Sequence, residues 1–285
     1  MVHIFVEKDT VLEKYTKLKH ILSTASKVLV AYSGGVDSTF LAYTACQVLP
    51  GKTFPMFINS SVMGKRQLMW ARETAVDLGL PLQVLEHDVL CDVSVAQNTP
   101  ERCYWCKKGM FIRLREVASR QECDWVGEGS NLDDEKDFRP GLQALQELEI
   151  RSPLREAGFT KKEIRALSRN LDLPTWDRPS YACLASRIPY HTVLTSSLLE
   201  NIERAENVLF ELGFTQFRVR HHGDTARVEL AQSEFERFMK KEIRVKVTEE
   251  LQKLGYLYVT LDLSGYRTGS MNEGLDRLSG SINKG

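Results

Sequence analysis

The stretch Val28-Leu29-Val30-Ala31-Tyr32-Ser33-Gly34-Gly35-Val36-Asp37-Ser38-Thr39-Phe40-Leu41-Ala42-Tyr43 decides the fold. An apolar run meets a Gly-Gly turn, and the turn opens an apolar helical stretch. Strand, tight turn and helix start together form the geometry in which a backbone most readily cradles an anion. Adjacent glycines permit positive φ and close approach, while the helix start offers unpaired N–H groups and the positive end of its dipole. Ser33 and Ser38 add hydroxyl donors, and Asp37 is suited either to cap the helix or to help hold a Mg²⁺ on phosphate. An isolated Gly-Gly reads as an ordinary βα turn. The whole Ser-Gly-Gly-Val-Asp-Ser string reads as nucleotide binding through Ser33, Gly34, Gly35, Asp37 and Ser38.

The string is not a Walker A loop, since no Gly-Lys-Ser/Thr follows at the required spacing. It also lacks the third glycine of a dinucleotide fingerprint. It resembles the pyrophosphate loop of the N-type ATP pyrophosphatases. That resemblance implies ATP as cosubstrate, a loop holding the β,γ-pyrophosphate, and attack of a substrate oxygen on the α-phosphate to leave an adenylated intermediate.

Outward from the loop, strands alternate with helices. Thr53–Asn59, Leu82–Glu86 and Trp125–Gly127 read as further strands, with helices expected over Leu12–Leu22, Lys65–Leu78 and Met110–Ser119. This alternation predicts an α/β domain with a parallel sheet covered on both faces and a ligand site beyond the strands' carboxyl ends. The polar segment Gly127–Pro140 leaves such an end, so it reads either as part of the nucleotide site or as a solvated acidic loop. Thr160-Lys161-Lys162-Glu163 has capping-box spacing. The first domain is expected over 1–175, a proline-rich crossover over 176–192, and a smaller α+β domain over 193–285. That last domain carries a helix from Thr195 to Leu212, a hairpin turning at His221-His222-Gly223-Asp224, a helix through Val247 to Leu254 and a strand Tyr256–Leu263.

Composition narrows the classes. The 285 residues carry 38 Lys plus Arg against 38 Asp plus Glu, so no overall basic field gathers nucleic acid. No apolar run reaches membrane-spanning length and the N-terminus lacks a secretory pattern, so the expected location is the cytoplasm, with no membrane partner. Six cysteines in a chain of this length do not form a disulfide framework. Cys46, Cys91 and Cys123 read as small buried residues.

Cys103-Tyr104-Trp105-Cys106 and Cys183 stand in polar, aromatic or proline-rich surroundings instead. A Cys-x-x-Cys pair alone fits a redox dithiol, half a zinc site, part of an iron–sulfur site, or coincidence. Three thiolates from two loops suit three irons of a [4Fe–4S] cluster, with the fourth iron open to hydrosulfide. Beside an adenylating loop, that combination points to replacement of an activated oxygen by sulfur.

With these residues in view the chain resembles the LarE family, ATP-dependent sulfurtransferases that build the nickel-pincer nucleotide cofactor. The resemblance rests on Ser33–Ser38, on Asp137-x-Arg139-Pro140-Gly141, and on the long string from Trp176-Asp177-Arg178-Pro179-Ser180 through Cys183-Leu184-Ala185-Ser186-Arg187 to Tyr190. Arg218-Val219-Arg220, Arg227-Val228-Glu229 and Gly265-Tyr266-Arg267-Thr268-Gly269-Ser270 extend it. It implies pyridinium-3,5-biscarboxylic acid mononucleotide as the small-molecule substrate, ATP with Mg²⁺, sulfide or another sulfur donor, and a homo-oligomer, a hexamer by family likeness. In a single-cysteine branch the cysteine matching Cys183 surrenders its own sulfur. Cys103 and Cys106 align this chain with the three-cysteine, [4Fe–4S]-bearing branch. Arg218 and Arg220 lie on one face of a strand and suit a substrate phosphate, with Arg267 a further candidate. Glu229 suits either Mg²⁺ or an ion pair with Arg227. Arg187 reads either as steadying an acyl-adenylate or as holding the Cys183 loop. An iron–sulfur tRNA thiolase and a non-catalytic nucleotide-responsive cluster protein are the rival readings, and the even charge balance counts against the first.

Overall fold

The computed structural model describes residues 2–136, 140–179 and 181–267. The motif residues Asp137, Phe138, Arg139, Ser180, Thr268, Gly269 and Ser270 lie outside them. The chain forms two compact units, Met1–Val95 with Pro100–Tyr181, and Ala96–Thr99 with Ala182–Gly285. The division at 181/182 falls inside the segment read as a crossover.

In the first unit α1 (Val2–Ser23) precedes β1 (Val28–Ala31), α2 (Val36–Val48), β2 (Thr53–Asn59), α3 (Lys65–Asp77) and β3 (Gln83–Glu86). A single turn, α4 (Val93–Ala96), leads to α5 (Arg102–Arg120), β4 (Trp125–Gly127), α6 (Pro140–Glu147), α7 (Pro153–Ala157) and α8 (Lys161–Asn170). The strands form one parallel sheet in the order β3-β2-β1-β4. Period-two alternation along β1 builds both faces of the core. Val28 and Val30 join Leu18, Phe40, Phe159 and Ile164 on one side, while Leu29 meets Phe111, Leu114, Val126 and Leu145 on the other. The order reverses at β1, because the chain builds outward through β2 and β3 and then returns to β4 on β1's other flank. The carboxyl ends of β1 and β4 therefore flank the crevice where ligands of such sheets bind.

Two helix boundaries have clear chemical causes. Thr160 Oγ1 accepts from the Glu163 amide while the Glu163 carboxylate accepts from the Thr160 amide at 2.8 Å, the expected capping box at the start of α8. The expected helix over Met110–Ser119 begins eight residues earlier, at Arg102. Cys103 and Cys106 consequently lie on a helix rather than on a loop, a correction to the sequence reading. Polar residues such as Lys107 and Lys108 interrupt the apolar period there and hide the helix.

The second unit holds α9 (Ser196–Glu211), β5 (Phe217–His222), β6 (Thr225–Leu230), α10 (Phe235–Phe238), α11 (Lys241–Lys253) and β7 (Tyr258–Leu261). β5 and β6 pair antiparallel around the two-residue turn Gly223-Asp224, so His221 and His222 belong to the strand, and β7 adds in parallel to β6. Ala205, Leu209, Val247 and Leu251 from the helices cover Val219, Ala226 and Val228 of the sheet. Residues 96–99 join this unit because buried Asn98 donates to the Pro189 carbonyl at 2.8 Å and accepts from the His191 amide at 2.9 Å. Among the described residues no helix is long and apolar enough to cross a membrane.

Candidate functional site

The Ser33–Ser38 loop leaves β1 at the point where the strand order reverses. Gly34 takes φ +75, and a Cβ there would come within 3.0 Å of Ala71 Cα and Cβ on α3. Backbone conformation and helix packing both demand glycine at this position. Gly35, in extended conformation, is the N-cap of α2 with no side-chain cap. Asp37 is therefore within the first turn and does not cap the helix. Its side chain instead pairs with Lys161 of α8. Asp37 Oδ1 is buried without a hydrogen-bond partner. Burial raises the Asp37 carboxyl above its ordinary value, and Lys161 opposes that shift.

The two serines stiffen the turn. Ser38 Oγ donates to the Gly35 carbonyl at 3.1 Å, accepts from the Ser33 amide at 3.1 Å, and lies 3.0 Å from Ser33 Oγ. From outside, Gln67 Nε2 donates to the Ser33 carbonyl at 3.2 Å and Arg178 Nη1 to the Gly34 carbonyl at 2.9 Å. The loop after β4 closes on the same place: a Cβ at Gly129 would meet the Ser38 amide nitrogen at 3.0 Å. Gly127–Pro140 thus enters at Gly129, and Glu128 is anchored in the interior by Ser130 and Ser152. Nothing in the sequence alone singles out Gln67, Gly129, Lys161 or Arg178 individually as a site residue. Arg178 carries a signal inside the long Trp176–Tyr190 string, and Gly129 inside the polar segment Gly127–Pro140.

Cys183 lies in the second unit as N-cap of the short 3-10 turn Leu184–Arg187. Arg187 folds back over this turn and donates through Nη1 to the carbonyls of Ala182 at 2.8 Å and Cys183 at 3.0 Å. Its Nε and Nη2 bind Glu206 of α9, and the pair is wholly buried. Burial alone would raise Glu206, but Arg187 outweighs it and holds the carboxyl below its ordinary value. Glu206 Oε1 also accepts from the Val219 amide at 3.2 Å.

Arg220 repeats the arrangement. It donates to both oxygens of buried Glu229 at 3.0 Å and through Nη1 to the Ser186 carbonyl at 2.5 Å. Arg227 Nη2 donates to Glu229 Oε1 at 3.0 Å, so the ion-pair alternative for Glu229 is the one observed. Arg218 sits over the Tyr266 ring at 5.1 Å. Burial, with the charge of Arg187 next, pushes its pKa down while Glu206 opposes. Arg267 lies 3.7 Å from Asp262 and donates to the Gly265 carbonyl.

Cys103 and Cys106 are one helical turn apart on α5, half-buried, and none of the six cysteines is in a disulfide. Arg102 Nη2 lies 3.7 Å from Cys103 Sγ. Cys46 and Cys123 are half-buried rather than buried, Cys46 packing against the core with its thiol pushed up to about 11 by burial, and Cys91 is exposed, contrary to the reading of all three as buried. Thiolates suit iron, but among the described residues no group of three or more His, Cys, Asp or Glu side chains is arranged to hold a metal ion.

A Ser-Gly-Gly-Val-Asp-Ser turn at the switch point of a parallel sheet marks an α/β protein of the pyrophosphate-loop ATP pyrophosphatase class. The comparisons agree. The chain is 37% identical over 269 residues to the pyridinium-3,5-bisthiocarboxylic acid mononucleotide synthase of Lactiplantibacillus plantarum, across 94% of this chain and 97% of that protein. It is 35% identical over 264 residues to an uncharacterized protein of a Synechocystis species, across 93% and 98%. A fainter likeness, 25% over 175 residues, relates 55% of the chain to 34% of the glutamine-hydrolyzing GMP synthase of Chlamydia caviae. No protein-family model matches. The chain belongs to the LarE family of sulfurtransferases.

Proposed function

We propose that the protein adenylates the ring carboxylates of pyridinium-3,5-biscarboxylic acid mononucleotide with ATP and replaces carboxylate oxygen by sulfur. The observation that carries this reading is the Ser33–Ser38 turn at the strand-order reversal, in a chain 37% identical to a synthase named for the bisthiocarboxylic product.

In the first step a carboxylate oxygen attacks the α-phosphorus, the bond to the bridging oxygen breaks, and pyrophosphate leaves on the loop. The Gly34-Gly35 turn and the start of α2 oppose charge building on the β,γ-phosphates. Lys161 offsets Asp37, and the unpartnered Asp37 Oδ1 is the oxygen we assign to a Mg²⁺ carried with ATP. In the second step hydrosulfide attacks the acyl carbon, the C–O bond to AMP breaks, and AMP departs with its electron pair. A thiocarboxylate and one proton remain. Repetition on the other carboxylate gives the bisthiocarboxylate.

Arg218, Arg220 and Arg267 are proposed to recognise the substrate phosphate, with Arg218 foremost. The stacking of Arg218 on Tyr266 and its depressed pKa favour a neutralising anion there. Cys103, Cys106 and Cys183 are proposed as ligands of a [4Fe–4S] cluster, supported by the family likeness and the one-turn spacing of the first two. On the same likeness we infer a cytoplasmic homo-oligomer.

The test is pyrophosphate release from ATP–Mg²⁺. It should require the pyridinium dicarboxylate, and with sulfide present the product should gain the mass difference between sulfur and oxygen at each carboxylate. Release independent of that substrate, or its replacement by a tRNA, would refute the assignment.

A further inference from the structure

We propose that Arg178 is a positioning residue of the phosphate loop: it holds the Gly34 carbonyl and thereby keeps the Gly35 amide, whose own contact is a long 3.4 Å bond to Ser33 Oγ, turned toward the pyrophosphate. The inference rests on the nucleotide-binding reading of the loop and adds a residue to it.

The Gly34–Gly35 peptide is the pivot of the anion cradle. In a trans peptide the C=O and N–H point in opposite directions, so whatever fixes one orients the other. Gly34 has no side chain to resist rotation, and its φ of +75 is one of several conformations open to glycine. Flipped, this peptide would turn a carbonyl oxygen toward the phosphates. Arg178 Nη1 donates to the Gly34 carbonyl at 2.9 Å and lies 3.3 Å from Thr74 Oγ1 on α3. A charge-assisted bond to that oxygen disfavours the flip.

Arg178 is itself held from two sides. Arg165 of α8 donates to the carbonyls of Trp176 at 2.7 Å and Arg178 at 2.8 Å, gripping the backbone that carries the guanidinium. Trp70 packs against it, with the Arg178 guanidinium 5.7 Å from the indole centroid and Tyr181 edge-on to Trp70 at 5.3 Å. One turn before Arg165, Lys161 pairs with Asp37, and one turn after it Arg169 stacks on Trp176 at 4.8 Å. One face of α8 therefore secures both the loop's acid and the strap that delivers Arg178.

Isothermal titration of the full-length protein with pyrophosphate and, separately, AMP tests this, because only pyrophosphate requires the cradle. Arg178→Gln should weaken pyrophosphate binding at least about tenfold, the loss of a charge-assisted bond, and leave AMP affinity within about twofold. Arg178→Lys keeps one donor and should recover part of the loss; it also serves if the glutamine variant fails to fold. Pyrophosphate affinity unchanged in both variants, or AMP and pyrophosphate weakened equally, would overturn the proposal. Wild-type protein that binds pyrophosphate yet adenylates no pyridinium substrate would instead refute the proposed function and leave Arg178's role standing.

Discussion

Arg187 and Glu206 form a two-bond ion pair, Nε to Oε1 at 2.9 Å and Nη2 to Oε2 at 3.0 Å, with side-chain exposures of 0% and 2%. The remaining guanidinium nitrogen caps the carbonyls of Ala182 and Cys183. Arg187 thus spends all its donors inside the protein and acts on Cys183 through the turn that carries it. Of its two sequence readings, the geometry matches the holding role.

Glu206→Gln strands a buried guanidinium, and the expected loss of unfolding free energy is about 3–5 kcal/mol. Replacing both partners, Arg187→Met with Glu206→Leu, should recover most of that loss in urea melts, because no unpaired charge remains. Sulfur transfer should stay impaired in the double variant, since the carbonyls of the Cys183 turn have lost their Arg187 donor. A double variant with full activity would show that the clamp serves stability alone.

The same pair sets an acid limb of stability. The Glu206 carboxyl in the folded chain sits below its ordinary 4.5, so the unfolded chain takes up the proton first as pH falls. Its contribution is complete above 4.5 and is lost as pH drops through the depressed folded value. The urea midpoint of the wild type should decline over that range more steeply than that of Glu206→Gln. Parallel declines would contradict the assignment.

Glycine substitutions separate backbone strain from loop function. Gly51 and Gly34 both have positive φ, but a Cβ at Gly51 meets nothing within 4 Å. Gly51→Ala should cost about 1 kcal/mol and leave ATP binding intact. Gly34→Ala adds the collision with Ala71, and Gly129→Ala presses on the Ser38 amide. Both should abolish ATP binding in equilibrium dialysis; binding retained by either would mean that the loop is not the phosphate site.

Legibility followed the range of the physics. The Ser-Gly-Gly-Val-Asp-Ser turn, the apolar strand that begins at Val28 and the Thr160–Glu163 capping box depend on near neighbours, and all appear as expected. The helical setting of Cys103 and Cys106 was hidden because α5 is held by packing against α6 rather than by a clean apolar stripe in its first turns. Lys161, Arg178 and Gly129 reach the loop only through tertiary folding, Lys161 from 124 positions away from Asp37. Nor does sequence reveal that Arg187 and Arg220 are tied to Glu206 and Glu229.

The thiol assignments are checked by iron. Protein purified without oxygen should be brown, with about four iron and four sulfide per chain. Cys103→Ala, Cys106→Ala and Cys183→Ala should each remove the colour. A colourless, active protein in which Cys183 loses the mass of H₂S after turnover would contradict the cluster and establish a sacrificial thiol.

The most direct measurement uses substrate labelled with oxygen-18 in its ring carboxylates. If a carboxylate oxygen attacks ATP and then departs with the nucleotide, mass spectrometry will find one label in each AMP released. Unlabelled AMP formed alongside thiocarboxylate product would contradict adenylation as the activating step.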